Sequence, residues 1–152
     1  MAKDNKSKSG LRGMARFCAV QTVYRAGITG CTMGTIAAEF NGRGEIFITE
    51  NISISEMDGD FFLRLIKIIE DNLPEIDEII SKNLSDNWKF GRLDNVMKSV
   101  LRLGAAELLY FKDIPANVVF NEYIEISKSF FEKSEVAFIN GILNSIGNSA
   151  PQ

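Results

Sequence analysis

Residues 92–146 read RLDNVMKSVLRLGAAELLYFKDIPANVVFNEYIEISKSFFEKSEVAFINGILNSI, and this stretch decides the fold. Its apolar residues recur every three or four positions, the period of a helix with one buried face. A first helix is expected from Leu93 to Phe111, with Leu93, Met97, Val100, Gly104, Leu108 and Phe111 on one stripe. Glycine inside a helix costs about 1 kcal/mol against alanine, so Gly104 on the buried stripe predicts a second helix crossing closely there. Ile114-Pro115 breaks the chain, because proline disfavours helical geometry in the residue before it and suits the first turn of a new helix. From about Pro115, Val119, Tyr123, Ile126 and Phe130 form one row and Phe120, Ile124 and Phe131 the next, while Asn121, Glu125 and Lys128 face away. A third helix, from about Ser134 to Ile146, carries Phe138, Ile139, Ile142, Leu143 and Ile146. Three amphipathic helices joined with almost no slack predict an all-α bundle.

Polar residues on these faces need partners. Glu107 shares a face with Val100, Leu103, Gly104 and Leu108, where an unpaired carboxylate is costly. Its expected donors are backbone N–H groups at the starts of the next two helices, or Arg102. Asn121, Glu122 and Asn140 are expected to link helices by hydrogen bonds.

Upstream, Ser9 can cap a helix to about Arg25, with Leu11, Ala15, Cys18 and Thr22 on one row and Phe17, Val20 and Tyr24 on the adjoining one. Gly27 and Gly30 end it, and a shorter helix covers about Thr32 to Phe40. Residues 41–54 read as a loop followed by an extended piece. A further helix spans about Glu56 to Asn72 behind Ser55 as cap, with Phe62, Leu65, Ile66, Ile69 and Leu73 at helical spacing. Pro74 opens another, to about Asn83, on Ile76, Ile79 and Ile80. Asn83 to Asn87 form a loop that Trp88 and Phe90 are expected to anchor. The count is about seven helices: a flexible basic arm at 1–10, a single all-helical domain over 11–147 and a loose tail at 148–152.

A chain of 152 residues buries roughly two thirds of its unfolded surface, enough for a core without metal or disulfide. No stretch approaches the eighteen continuous apolar residues of a membrane span, and the polar N-terminus is unlike a signal peptide, so a cytoplasmic location is expected. Cys18 and Cys31 have no metal-ligand spacing, and Cys18, on an apolar row, reads as core filler. The chain has no histidine, which removes the commonest general base, the commonest zinc ligand and every Ser-His or Cys-His pair. The glycines of Asn41-Gly42-Arg43-Gly44 lack the Gly-Lys-Ser/Thr ending of a phosphate loop. No cofactor, metal or enzymatic activity is expected.

The net charge of −3 is unevenly spread. Residues 1–16 hold Lys3, Lys6, Lys8, Arg12 and Arg16 against Asp4 alone, a local +4 that leaves −7 for the remainder. A basic arm ahead of an acidic body suits either phosphate binding, through release of condensed counterions, or simple solubility.

The pattern Ala15-Arg16-x-Cys18-Ala19-Val20-Gln21-x-Val23-Tyr24, followed by the segment from Arg92 to Gly141, resembles the NusB family of bacterial transcription antitermination factors. The likeness covers both ends of the chain and leaves residues 27–85 unmatched in detail. It implies two small three-helix subdomains around a long shared helix, and RNA binding without catalysis. It further implies a heterodimer with the small-subunit ribosomal protein that acts as NusE. That pair binds the boxA element of nascent ribosomal RNA leaders as single-stranded RNA and works with other Nus factors and RNA polymerase. Some members of the family are homodimers.

Carried onto this sequence, the resemblance places RNA contacts at Lys3, Lys6 and Lys8 of the arm, at Arg12 and Arg16 and at Phe138. Arginines four apart leave one helix face together and can grip successive phosphates, and an exposed aromatic can stack on an unpaired base. The plain alternatives are a solvated face for the arginines and core packing for Phe138. Tyr24, Met97 and Lys98 are assigned to the protein partner. The sequence departs from the family where Gly13 and Met14 replace a run of arginines, and where Ala137 replaces a frequent lysine. Two other readings stay open at this point: an RNA-binding domain akin to the appendage of rRNA cytosine methyltransferases, and a helical protein-binding adaptor.

Overall fold

The computed structural model describes residues 8–43 and 57–149, with side chains described over 10–38 and 57–149. Among these residues the fold is all-α. Six helices run in order: α1 Lys8–Thr29, α2 Met33–Arg43, α3 Gly59–Lys82, α4 Asn95–Tyr110, α5 Ala116–Lys128 and α6 Lys133–Ser149, with a 3-10 turn at Phe90–Arg92 before α4. The two helices expected on either side of Pro74 are both present but abut across a kink, so they are counted as the single element α3. Asn72 leaves helical geometry at φ −130° and ψ 21°. Proline lacks an N–H for the helix ladder and crowds the turn before it, which interrupts the helix there with no loop between the two segments. By its contacts the chain divides on α3 into two compact units, Met1–Glu70 and Asp71–Gln152.

In the first unit, α1 buries Ala15, Cys18, Val20 and Thr22 of the expected rows together with Ala19 and Val23, while Leu11, Phe17 and Tyr24 of those rows are half-buried. Thr22, fully buried, satisfies its hydroxyl by donating to the Cys18 carbonyl at 2.9 Å. The helix passes through Gly27 and stops at Thr29. Gly30 takes the left-handed conformation, φ +77°, and returns its N–H to the Ala26 carbonyl, a glycine C-cap. Thr32 then caps α2 by accepting the Thr35 N–H, and the Glu70 carboxylate accepts the N–H of Gly34 at 3.0 Å, where a helix N-terminus favours negative charge. α2 continues to Arg43, so residues 41–43, expected in a loop, are helical. The rest of the expected loop and extended piece, and Ser55, lie outside the described residues. The cap of α3 is Asp58, which accepts the Phe61 N–H at 3.0 Å and donates its own N–H to the Leu11 carbonyl.

In the second unit α4, α5 and α6 pack against one another. Asp94 caps α4 by accepting from Val96 and Met97. The whole expected stripe from Leu93 to Phe111 is buried. Gly104 does mark a close crossing: a Cβ there would lie 2.7 Å from Leu143 Cδ2 of α6. Glu107 is fully buried, and a donor outside the expected set reaches it, since the Tyr123 hydroxyl of α5 donates to its Oε2 at 2.5 Å. Arg102 forms a two-pronged ion pair with Asp77, at 2.8 and 2.9 Å. Asn121 and Asn140 are exposed, and Asn140 bonds Asn144 of its own helix in place of a neighbouring one. A link between elements is made instead by Ser145, which donates to Asn83 Oδ1 at 2.6 Å.

Candidate nucleic-acid interface

Arg12 and Arg16 leave α1 on the same face, as their spacing requires, but that face is covered. Both guanidinium carbons lie over the Phe61 ring of α3, 4.5 and 5.0 Å from its centroid. The ring's negative face attracts them, and the helix cap Asp58 adds a carboxylate 3.4 Å from Arg12 Nε. Arg16 is only 2% exposed and so cannot reach outward for a phosphate without leaving the core. The side chain of Arg12 keeps 26% exposure, an edge open to solvent. The reading of two guanidiniums gripping successive phosphates thus changes in part, because burial converts Arg16 into a packing residue. Lys3 and Lys6 lie outside the described residues, and Lys8 is the first residue of α1 with its side chain outside them.

In the second unit, Phe138 is half-buried on α6, next to the fully buried Ile139. Its ring centroid stands 4.9 Å from that of Trp88, with the planes tilted by 47°. Trp88 itself is 52% exposed. The two expected loop anchors therefore play different parts. Phe90 holds the loop, with Lys98 Nζ and the Arg102 guanidinium 5.6 and 5.3 Å from its ring centroid. Trp88 stands at the surface. Its sequence signal for a surface role is one large apolar ring directly flanked by Ser85, Asp86, Asn87 and Lys89, which the expectation of an anchor overlooks.

A cleft of about 430 Å³ opens between α5 and α6, lined by Ile124, Phe131, Val136 and Ala137, with Lys128 and Lys133 among its charged residues. These lysines supply positive charge beside Ala137, although Lys128 is paired with Glu125 at 2.8 Å and Glu132 also lines the cleft. Of the residues assigned to a protein partner, Tyr24 is half-buried, Met97 is 7% exposed and belongs to the α4 core, and Lys98 is half-buried and donates to the Gly91 carbonyl. Among the described residues no group of three His, Cys, Asp or Glu is placed to hold a metal, and no helix is long and apolar enough to cross a membrane.

The model of the NusB family matches residues 14–148. The chain is 40% identical over 139 residues to the transcription antitermination protein NusB of Caulobacter vibrioides, covering 91% of this chain and 93% of that one. It is 35% identical to the same protein of Maricaulis maris, over 96% and 91% of the two chains. Among solved structures it is similar to NusB of T. maritima, with a TM-score of 0.77, 30% identity and 93% of each chain covered. It is also similar to a chain in a crystal structure of the antitermination factors NusB and NusE in complex with double-stranded RNA, with a TM-score of 0.73, 27% identity, and 90% and 96% of the chains covered. A family model spanning both units, and relatives matched nearly end to end, make this chain a member of the NusB family.

Proposed function

We propose that this protein is a transcription antitermination factor of the cytoplasm. It binds the boxA element of ribosomal RNA leader transcripts together with the small-subunit ribosomal protein acting as NusE. The observation that carries the reading is the near full-length similarity to named antitermination proteins, reinforced by the fold shared with a NusB solved with NusE and RNA. The chain has no catalytic role in this reading; it presents RNA and a partner to other Nus factors and RNA polymerase.

The chemistry of the surface fits. Lys3 and Lys6 ahead of α1 and Lys8 at its first position, with the open edge of Arg12, supply phosphate contacts. Asp58 and the Phe61 ring steady Arg12, and Phe138 offers a face for an unpaired base. Tyr24 and Lys98 are the proposed contacts for the protein partner, with Met97 packed beneath the latter's helix face.

Fluorescence anisotropy tests the proposal. A labelled boxA-like RNA is titrated with the protein alone, with the protein and ribosomal partner together, and against a scrambled RNA. The expected result is tighter and more selective binding with the partner present, and affinity that falls steeply with added salt. A partner that neither binds nor sharpens discrimination ends this reading in favour of a helical adaptor. Equal binding of both RNAs leaves only a generic basic tail.

A further inference from the structure

We infer that Trp88, with Phe138 as its second wall, forms a notch that receives one unpaired base of a single-stranded RNA; the inference rests on the RNA-binding reading above. The large apolar side chains of this unit are mostly buried, yet the indole of Trp88 is 52% exposed. Its contact with Phe138 leaves it open. Rings 4.9 Å apart and tilted by 47° are too oblique to cover each other's faces, so a flat group can stack on one ring and meet the other edge-on.

The notch is also rigidly mounted. The Trp88 N–H donates to the Ser85 carbonyl at 2.9 Å, closing the turn that leads into the ring. Two residues later Phe90 lies against Lys98 and Arg102, and Arg102 is locked by both carboxylate oxygens of Asp77. On the other wall, Phe138 precedes Ile139, which is fully buried in the α6 packing. A platform fixed before binding loses little entropy when a ligand arrives.

The surroundings select the occupant. Ser85, Asp86, Asn87 and Lys89 are all exposed, so the rings stand in a polar setting and not at the centre of an apolar patch. A protein hot spot is normally ringed by further dry contacts. An apolar footprint this small, with Lys89 and Arg92 on the same loop against Asp86, suits a π-face next to a phosphate, which is what single-stranded RNA offers.

Trp88 is the single tryptophan of the chain, so intrinsic emission reports on this notch alone. The full-length protein, with and without the ribosomal partner, is titrated with single-stranded boxA-like RNA while tryptophan emission and the anisotropy of labelled RNA are both followed. Stacking predicts quenching of Trp88 with the same midpoint as the anisotropy change, and no quenching by a fully paired duplex of the same sequence. Trp88→Ala should weaken RNA binding by about 5- to 150-fold, with Trp88→Phe retaining most of the affinity. RNA that binds by anisotropy while emission stays constant and Trp88→Ala binds normally overturns the inference and leaves the RNA-binding reading intact. Absence of RNA binding in every arm removes both. Emission that changes with the ribosomal partner alone, and not further with RNA, makes the notch a protein contact and overturns the inference as well.

Discussion

The two units each set an aromatic ring beside basic residues, and they do so to opposite ends. In the first, Phe61 is 3% exposed and Arg16 only 2%, with Asp58 balancing Arg12, so the cluster is closed except at the edge of Arg12 and holds α1 to α3. In the second, Trp88 and Phe138 meet at an angle and leave the indole half in water, with Lys89 and Arg92 exposed on the same loop. Residue type alone suggests nucleic-acid binding at both places. What separates them is accessibility: an arginine stacked on a core ring spends its charge on the fold, whereas an exposed ring still has a face to offer.

Five experiments break or sharpen that contrast. Arg16→Ala should act on the closed cluster as a folding lesion, lowering unfolding free energy by about 2–3 kcal/mol in urea titrations, because a buried guanidinium and its packing disappear together. If the variant keeps its stability but loses RNA affinity, the two regions are not different in kind. Trp88→Ala should behave in the reverse sense, with stability within about 0.5 kcal/mol of the parent. Its RNA affinity should fall by about 1–3 kcal/mol, read by anisotropy.

Cys18 probes the closed unit through pH. Burial pushes its thiol from the ordinary 9.0 up to about 12. Above pH 9 the unfolded chain releases the proton while the native thiol keeps it, so stability should decline between pH 9 and about 12, by roughly 1 kcal/mol per pH unit. Urea midpoints at pH 8 and 10 check this, and Cys18→Ala should lose that part of the slope. A thiol reagent at neutral pH should label exposed Cys31 quickly and Cys18 only on unfolding. The smallest effect is expected at Gly104→Ala, which shows that the second unit is closed away from its notch. Alanine favours the helix by about 1 kcal/mol, but its Cβ would press on the fully buried Leu143 at 2.7 Å, and overpacking of that kind costs about 1–3 kcal/mol. A net loss of about 1 kcal/mol should appear as a lower thermal midpoint.

Most of the architecture is legible in the sequence because it is written in local periodicity. The stripe from Leu93 to Phe111, Val119, Tyr123 and Ile126 of α5 and Ile139, Ile142, Leu143 and Ile146 of α6 follow from neighbours on one helix, although Phe130 of the expected α5 row lies past the helix end and is exposed. Gly104 announces its crossing by being a poor helix residue on a buried face. Relations between distant residues are not legible in that way. Nothing near Arg16 tells that Phe61, on another helix, will lie against it. Tyr123 reads as one apolar residue in a row, which hides its hydroxyl as a donor for Glu107. Pro74 reads correctly as a boundary between two helical segments, but the proline signal does not tell that they abut with no loop between them. The family resemblance supplies residue roles by position, and position does not carry burial.

The contact between Glu107 and Tyr123 has a consequence for how this chain can drift over generations. Tyr123→Phe keeps the shape of the ring but withdraws a donor from a carboxylate with no access to water, and Glu107→Leu removes an acceptor from the hydroxyl in turn. Either step alone passes through a less stable intermediate, whereas both together exchange a polar link for an apolar one at little cost. The two positions are thus tied as a pair across sixteen residues of chain. Among relatives of this protein, a change at one is expected to be accompanied by a change at the other.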